Sequence, residues 1–278
     1  MGIPSYFTKI VKQYRHILKE MTNLSHINNL YMDCNSLIYD AVKNNPTYEK
    51  GKNKEYENEL ISMVCKKIDF YVDLLKPKNR VLIAFDGVAP VAKLSQQRDR
   101  RYKSWYTAQI QRDIEGKNYK ETWNTSAITP GTTFMKNLND TVVSYYKNKM
   151  IDSIKNESNV NSNIPILEYI VSSSMESGEG EHKIFEYIRK YPEYHNSPDT
   201  ITLVYGLDAD LIFLTFASSV NNLLLLRELQ HLDKNHKEKD ILTHPVTDVA
   251  EQLCYVSIDN TINILNQYII DKLICNFI

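Results

Sequence analysis

The sequence is short of the residues that mark secreted or membrane-spanning proteins. It has four cysteines, at positions 34, 65, 254 and 275, too far apart for a Cys-x-x-Cys pair. This number is low for a disulfide-stapled secreted domain, so we predict reduced, mostly buried thiols. No apolar run reaches the roughly 18 residues of a membrane span, and no signal-peptide pattern follows Met1. We therefore expect an intracellular, cytoplasmic protein with no membrane partner.

The chain also lacks an excess of charge of either sign. Its 33 Lys and Arg residues against 34 Asp and Glu give a formal charge of −1, so any nucleic-acid binding must depend on a local patch. Only 8 glycines stand against 19 tyrosines, which indicates an A+T-rich genome. Hydrophobic residues make up 42% and charged residues 24%, which excludes disordered and fibrous proteins. The 278 residues suffice for a sizeable core.

Short apolar runs that end on aspartate recur along the chain. They cover residues 27–33, 80–86 and 200–208, and a further candidate strand covers 166–172. Helical patterns alternate with them, at 60–75, 92–114 and 179–190. Such runs are typical of buried strands, and the alternation predicts βαβ units. We therefore predict an α/β fold with a mainly parallel central sheet flanked by helices on both faces.

Three polar stretches rich in Asn, Lys or Glu interrupt this pattern. They cover residues 43–58, 147–163 and 230–239. We interpret them as surface insertions within one domain that spans residues 1–278, because no internal repeat or boundary is visible.

Six acidic residues follow the predicted strands or open a predicted helix. They are Asp33, Asp86, Glu179, Glu181, Asp208 and Asp210. The carboxyl ends of parallel strands meet at one edge of a sheet, so these side chains should converge. Two like charges about 4 Å apart repel by roughly 4 kcal/mol at an effective dielectric of about 20, so such a cluster requires cations or protonation.

Oxygen ligands without Cys or His partners favour Mg²⁺ or Mn²⁺ over zinc. Two such ions about 3.5–4 Å apart can promote in-line phosphodiester cleavage. Any single aspartate after a strand is more simply explained as a helix cap. Taken together, the strand-end acids and the Gly-Glu-Gly-Glu stretch favour the metal site.

A basic face is predicted on the helix that follows Asp86. Four of its residues fall on one side at 100° per residue, namely Lys93, Gln97, Arg100 and Arg101. Five cations against one acid between residues 93 and 105 give a local charge of +4. Arg matches phosphate oxygens in a bidentate way, so this face suits a terminal phosphate near the metals. A solvated helix face is the alternative.

Several stretches then carry a family resemblance, in order along residues 1 to 230. They are MGIP at 1–4 with Phe7, DCN at 33–35, FDGVAPVAKLSQQRDRR from Phe85, ITPGTTFM from Ile128, SGEGEHKI from Ser177 and YGLDADLI from Tyr205. In these the chain resembles the XRN-type 5′→3′ exoribonucleases, in the amino-terminal half of their nuclease domain. FDGVAP with QQRxRR, and GEGEHK with GLDADL, are specific in combination.

The resemblance implies a PIN and flap-endonuclease-like nuclease in which the six acids hold Mg²⁺. It also implies that Lys93, Gln97, Arg100 and Arg101 bind the 5′-monophosphate of an RNA substrate. By the same likeness, a cap or triphosphate is excluded and mononucleotides are released by two-metal hydrolysis. A non-catalytic RNA 5′-end-binding fragment and a flap-endonuclease-like DNA nuclease remain alternatives.

The chain departs from the family pattern at two places. Tyr39 stands where the family usually has a base-stacking His, and base stacking and core packing are equally open for it. The family's next Asp-bearing segment, Gly-Asn-Asp-Phe, has no counterpart before Ile278. We therefore expect a nuclease domain truncated at its C-terminal end, such as a minimal form from a large DNA virus, or one that a partner chain completes.

Three further side chains near these motifs need an interpretation. His182 either contacts a phosphate, orients a carboxylate or makes a structural hydrogen bond. For Trp105 and Tyr106, which follow the basic face, we expect packing in the core rather than stacking on RNA.

Overall fold

A computed structural model of the chain describes residues 13, 14, 17–21, 24, 26–45, 48–116, 119–157, 166–208, 210–228, 253–257, 261–263, 266 and 267. Its strands are β1 (Leu18–Glu20), β2 (Asn29–Asp33), β3 (Arg80–Ala84), β4 (Glu168–Ser172), β5 (Thr202–Tyr205), β6 (Leu223–Glu228) and β7 (Leu253–Ser257). Its α-helices are α1 (Asn35–Asn44), α2 (Asn53–Leu75), α3 (Val91–Glu115), α4 (Thr133–Glu157), α5 (Gly180–Lys190) and α6 (Asp210–Ser218). Short 3₁₀ turns cover Thr125–Ala127 and Pro192–Tyr194.

The strands form one mainly parallel sheet in the order β1-β7-β6-β5-β2-β3-β4. The five strands from β6 to β4 are mutually parallel, whereas β7 pairs antiparallel with both β6 and β1. Strand β2 is the middle one of these five parallel strands, and its Met32 pairs with Ile83 of β3 and Tyr205 of β5. The chain leaves β2 towards β3 and later returns to its other side as β5. This reversal is a topological switch point, where parallel sheets bind ligands.

Helices cover both faces of the sheet, as predicted. Alternate side chains of a strand point to opposite faces. Leu30 and Met32 of β2 belong to the core formed with α1, α2 and α4. Tyr31, between them, belongs to the core formed with α5 and α6. The predicted α/β class is therefore confirmed.

The expected buried thiols are present where the structure describes them. Cys34, Cys65 and Cys254 are free and buried. Cys275, the MGIP segment with Phe7 and the stretch 230–239 lie outside the described residues. None of the helices that the structure describes combines the length and apolar character needed to cross a membrane.

Helices extend into two stretches that we expected to be polar insertions. Helix α2 begins at Asn53, and α4 continues to Glu157. Leu138, Val142 and Tyr146 of α4 are buried. The last turns of α4 continue the helix into solvent. Their polar composition therefore reflects exposure and does not mark the end of the helix.

The prediction that Trp105 and Tyr106 lie in the core is wrong. Their exposed fractions are 53% and 52%, and α3 contributes no buried residue at all. Helical period identifies the residues that share a face, but it does not tell whether another element covers that face.

The loops after β3 and β4 approach each other closely at Gly87. The Gly87 amide donates to the Gly178 carbonyl at 2.8 Å, and the Gly178 amide donates to the Val88 carbonyl at 3.0 Å. A Cβ atom on Gly87 would lie 1.6 Å from the main-chain oxygen of Glu176. This contact therefore requires glycine and fixes the position of Asp86 relative to the loop that leads to Glu179.

We predict that Gly87→Ala lowers the free energy of unfolding by about 3 kcal/mol, because the new methyl group overlaps a main-chain atom that cannot rotate away. The control is Gly116→Ala, where a Cβ would meet no described residue within 4 Å and the φ of +51° is unfavourable. We expect that change to cost about 1 kcal/mol. Urea denaturation measures both, and equal losses would contradict the proposed close contact.

Candidate active site

The six predicted acidic residues line a single pocket at the carboxyl edge of the sheet. The pocket has a volume of about 390 Å³. The four predicted residues of the basic helix and Tyr39 line it as well. Other lining residues are Asn35, Ser36, Gly87, Gln96, Ile128, Pro130 and Leu207. Residues from five separate stretches of the chain are thus brought to the switch point between β2 and β5.

Asp33 is the last residue of β2 and faces the N-terminus of α5. A Cβ on Gly180 would lie 2.5 Å from Asp33 Oδ1, so the glycine lets the helix start approach the carboxylate. Burial raises the pKa of Asp33 well above its ordinary value, and the charges of Asp86 and Glu181 raise it further. An aspartate in this position is stable as a charged group only if a cation compensates it.

Asp86 lies two residues beyond the end of β3 and is held by three hydrogen bonds. The Asn35 side-chain amide donates to Asp86 Oδ2 at 2.5 Å, and the Asp86 amide donates back to Asn35 Oδ1 at 3.1 Å. The Gly180 amide donates to Asp86 Oδ1 at 2.7 Å. Burial raises the pKa of Asp86, whereas the Gly180 bond acts to lower it.

Glu179 precedes α5 and pairs with the first cation of the basic helix. Lys93 Nζ lies 2.5 Å from Glu179 Oε2. Burial acts to lower the pKa of Lys93, but the hydrogen bond to Glu179 and the charges of nearby carboxylates together outweigh it, so the pKa is raised. Lys93, which we predicted on the basic face of the helix, therefore contacts the acidic part of the pocket.

Glu181 has the least exposed side chain of the six acidic residues. Its exposed fraction is 3%, and its Oε2 atom has no hydrogen-bond partner among the described residues. Burial raises its pKa to about 7, and the charges of Asp208, Glu179 and Asp210 contribute. A buried carboxylate oxygen without a donor is costly unless a cation binds it.

A candidate metal group includes a histidine beside two of the acids. One ligand atom from each of Glu179, Glu181 and His182 lies within 4.8 Å of the other two. His182 Nδ1 is 4.0 Å from Glu181 Oε1, which is too long for a hydrogen bond. Orientation of this carboxylate by His182 is thus not realised in the structure.

Asp208 and Asp210 flank the start of α6. Asp208 lies three residues beyond the end of β5 and is exposed, and Asp210 is the first residue of α6. The Asp208 main-chain carbonyl accepts a hydrogen bond of 2.6 Å from Arg227 Nη2. The loop that carries the exposed acid is therefore tied to the neighbouring strand β6.

The basic side of the pocket consists of the second and third turns of α3. Arg101 Nη2 donates to Gln97 Oε1 at 3.3 Å, and both Arg100 and Arg101 are exposed. Tyr39, on α1, lines the pocket with an exposed fraction of 50%, so core packing is the wrong alternative for it. Burial and the charge of Asp86 raise the pKa of Tyr39, and the two arginines act to lower it.

Three polar residues around the acids were not predicted as functional. Asn35 makes two hydrogen bonds with Asp86. Lys183 and Arg227 are buried cations that donate to main-chain carbonyls near the acids. Burial lowers the pKa of Lys183 and lowers that of Arg227 to about 10. Asn35 and Lys183 stand inside the motifs DCN and GEGEHK, so the motifs were the available signal.

Comparison with known proteins identifies relatives among nucleases. A family model described as the XRN 5′-3′ exonuclease N-terminus matches residues 1–229. The chain is 33% identical over 252 positions to 5′-3′ exoribonuclease 1 of Saccharomyces cerevisiae, which covers 88% of this chain and 16% of the yeast protein. It is 30% identical over 316 positions to 5′-3′ exoribonuclease 2 of the same organism, covering 97% of this chain and 30% of that protein. A third relative is 5′-3′ exoribonuclease 2 of Schizosaccharomyces pombe, at 34% identity over 80% of this chain and 23% of that protein.

We predict that Glu181 makes stability fall as pH rises when divalent ions are absent. Its pKa rises from 4.5 in its ordinary state to about 7 in the fold, so the folded state keeps a proton that the unfolded chain has lost. The contribution of Glu181 to stability is therefore fully present below pH 4.5 and is lost as the pH increases towards 7. In EDTA at pH 7, Glu181→Gln should raise the free energy of unfolding by about 2 to 3 kcal/mol.

Chemical denaturation at pH 5 and pH 7 checks this prediction. At pH 5 the variant and the wild type should differ little, because the wild-type side chain is then neutral. A variant less stable than the wild type at pH 7 would show that Glu181 is not destabilised as a charged group.

Proposed function

Because the chain belongs to the XRN 5′-3′ exonuclease family, we propose that it degrades RNA from a 5′-monophosphate end in a reaction that needs Mg²⁺ or Mn²⁺. The observation that carries this proposal is that six carboxylates and the basic face of α3 line one pocket. The chain spans 16% to 30% of the length of the three relatives described above. That this shorter chain has the activity of the full-length relatives is therefore itself proposed.

The donor set of the pocket fits a divalent ion. Its candidate ligands are the six carboxylates, and oxygen ligands suit Mg²⁺ and Mn²⁺. Glu181 Oε2 is buried with no donor in the part of the chain that the structure describes, and a cation satisfies an atom of this kind. The carboxylates of Asp33, Asp86 and Glu181 have raised pKa values, so their negative charges are not compensated by the protein alone.

When bound, a divalent ion supplies Lewis-acid stabilisation of phosphate charge and a source of reactive water at neutral pH. The chain's own residues perform the remaining tasks. Asn35 and the Gly180 amide orient Asp86, and Gly180 lets α5 reach Asp33. Lys93 contacts Glu179 and lies between the acids and the arginines along α3.

The position of the arginines supports the recognition of a 5′ end. Lys93 and Arg100 are seven residues apart, or about 10 Å along the helix axis. Arg100 and Arg101 can therefore bind a terminal phosphate while the adjoining phosphodiester lies near the acids. Tyr39 is exposed enough to stack on the first base, an interaction worth roughly 1–3 kcal/mol. The same arrangement supports removal of one nucleotide at a time.

We predict Mg²⁺-dependent loss of nucleotides from the 5′ end of a 5′-monophosphorylated RNA. The RNA is labelled at either end and digested with Mg²⁺, Mn²⁺ or EDTA, beside the same RNA with a 5′-triphosphate. Asp33→Asn should lower the rate at least about 100-fold, because it removes a candidate metal ligand and a charge.

Asp73→Asn is the matched control, because Asp73 is exposed on α2 and does not line the pocket. It should leave the rate unchanged. Release of 3′-terminal nucleotides first, or equal digestion of both RNAs, would refute the proposed direction and end selection. Binding of the monophosphorylated RNA without any cleavage would instead support a non-catalytic end-binding function, and cleavage of DNA flaps would support the flap-endonuclease alternative.

A second prediction concerns Arg100 and Arg101, the proposed binding residues for the terminal phosphate. Arg100→Ala or Arg101→Ala should lower kcat/KM on 5′-monophosphorylated RNA by roughly ten- to a hundredfold, because a hydrogen bond to a charged group is worth about 1.5–3 kcal/mol. On RNA with a 5′-hydroxyl the same variants should change kcat/KM little. Arg98→Ala is the control, because Arg98 lies on the same helix but does not line the pocket. Equal losses from all three variants would indicate a general charge effect.

A further inference from the structure

A buried lysine holds the ends of two strands next to the acids. Lys183 lies in the first turns of α5 with an exposed fraction of 7%. Its Nζ atom donates to the carbonyl of Phe85 at 2.8 Å and to the carbonyl of Ser173 at 2.7 Å. Phe85 directly precedes Asp86, and Ser173 follows the end of β4. Lys183 therefore links α5, which carries Glu181, to the loop that carries Asp86.

A buried arginine holds the third acid-bearing loop. Arg227, near the end of β6, has an exposed fraction of 4%. Its Nη2 atom donates to the main-chain carbonyl of Asp208 at 2.6 Å. Neither Arg227 nor Lys183 lines the pocket.

We propose that Lys183 and Arg227 are positioning residues that hold the acid-bearing loops in the geometry that binds a divalent cation. This inference rests on the proposed function only in placing that cation among the acids. A bond to a main-chain carbonyl fixes a loop without occupying a carboxylate oxygen, so the ligand atoms remain available to an ion. The two positive charges also reduce the repulsion among the carboxylates, which lowers the cost of keeping them together before an ion binds.

The burial of these cations supports a specific role. A fully buried ammonium or guanidinium group is costly to desolvate, and its loss of hydration must be compensated by bonds of good geometry. Both residues donate to main-chain carbonyls in loops that lead directly to an acid. Residues that hold metal ligands in place without binding the metal themselves are typically important for affinity. Their removal lowers metal affinity by about 10- to 100-fold.

The test measures Mn²⁺ binding by the full chain without RNA, using electron paramagnetic resonance or calorimetry. Lys183→Met and Arg227→Met should each weaken Mn²⁺ binding at least about tenfold. Lys183→Arg and Arg227→Lys keep a charged donor and should weaken Mn²⁺ binding less than the methionine changes at the same positions, which would show partial rescue by the charge. Lys149→Met is the control, because Lys149 pairs with Asp69 at 2.7 Å between α4 and α2, away from the pocket.

Near-UV circular dichroism and thermal unfolding of the same samples separate positioning from simple loss of stability. A merely structural role would lower the unfolding temperature and leave the Mn²⁺ affinity of the folded protein unchanged, which would overturn the proposal. If the methionine variants do not fold, Lys183→Gln and Arg227→Gln replace them, with the same loss of affinity expected.

The outcome is distinct from that of the proposed function. A wild-type chain that binds Mn²⁺ but leaves RNA intact contradicts the nuclease activity, and the order of affinities among the variants still decides the role of the two cations. A wild-type chain that binds no Mn²⁺ overturns the positioning proposal itself.

Discussion

Mutual repulsion among carboxylates at one edge of the sheet is the constraint on which the rest of the site depends. Six acids line one pocket, and each close pair of charges opposes folding. The protein meets part of this cost with fixed donors. The Gly180 amide and Asn35 bind Asp86, Lys93 pairs with Glu179, and two buried cations lie behind the loops. Six carboxylates still outnumber the five cations at or behind the pocket, which are Lys93, Arg100, Arg101, Lys183 and Arg227. The proposed divalent ion would offset this excess of negative charge.

The parallel sheet explains why the acids meet at all. Strands β2, β3 and β5 are neighbours with the same direction, so the residues that follow them share one edge. The reversal of strand order around β2 opens a crevice there. Close approach then requires small residues: Gly87 where two loops touch, and Gly180 where α5 meets Asp33. With only 8 glycines in the chain, those at the site have specific spatial roles.

The sequence predicts the parts of this site that follow from local periodicity. Apolar runs that end on aspartate indicate strands, and the parallel arrangement then brings Asp33, Asp86 and Asp208 together. The 100° period of a helix likewise places Lys93, Gln97 and Arg100 on one face. Even so, only Asp33 stands at the end of its strand. Strand β3 ends at Ala84 and β5 at Tyr205, so Asp86 and Asp208 lie two and three residues further on. The loops between must be fixed by other residues.

Those other residues are what local patterns do not reveal. Arg227 binds the carbonyl of Asp208, 19 residues away along the chain, and Lys183 reaches Phe85 across 98 residues. A bond to a main-chain carbonyl leaves no mark on the side chain of the acceptor, so no pairing of residue types predicts it. Trp105 and Tyr106 illustrate the opposite limit. Their aromatic character indicates burial, but α3 lies at the surface with no buried residue.

The distribution of charge along α3 bears on how an RNA end would be selected. The whole chain has a formal charge of −1, so it has little general attraction for a polyanion, whose nonspecific binding scales with the number of neutralised phosphates. Positive charge is instead concentrated in a stretch of α3 beside the pocket. An exposed terminal phosphate carries more charge than an internal phosphodiester and can enter a pocket that an internal phosphate cannot reach. Under the proposed function, affinity confined to one small cationic site would favour ends over the body of the RNA, and each removal of a 5′-terminal nucleotide would present a new terminal phosphate to the same site.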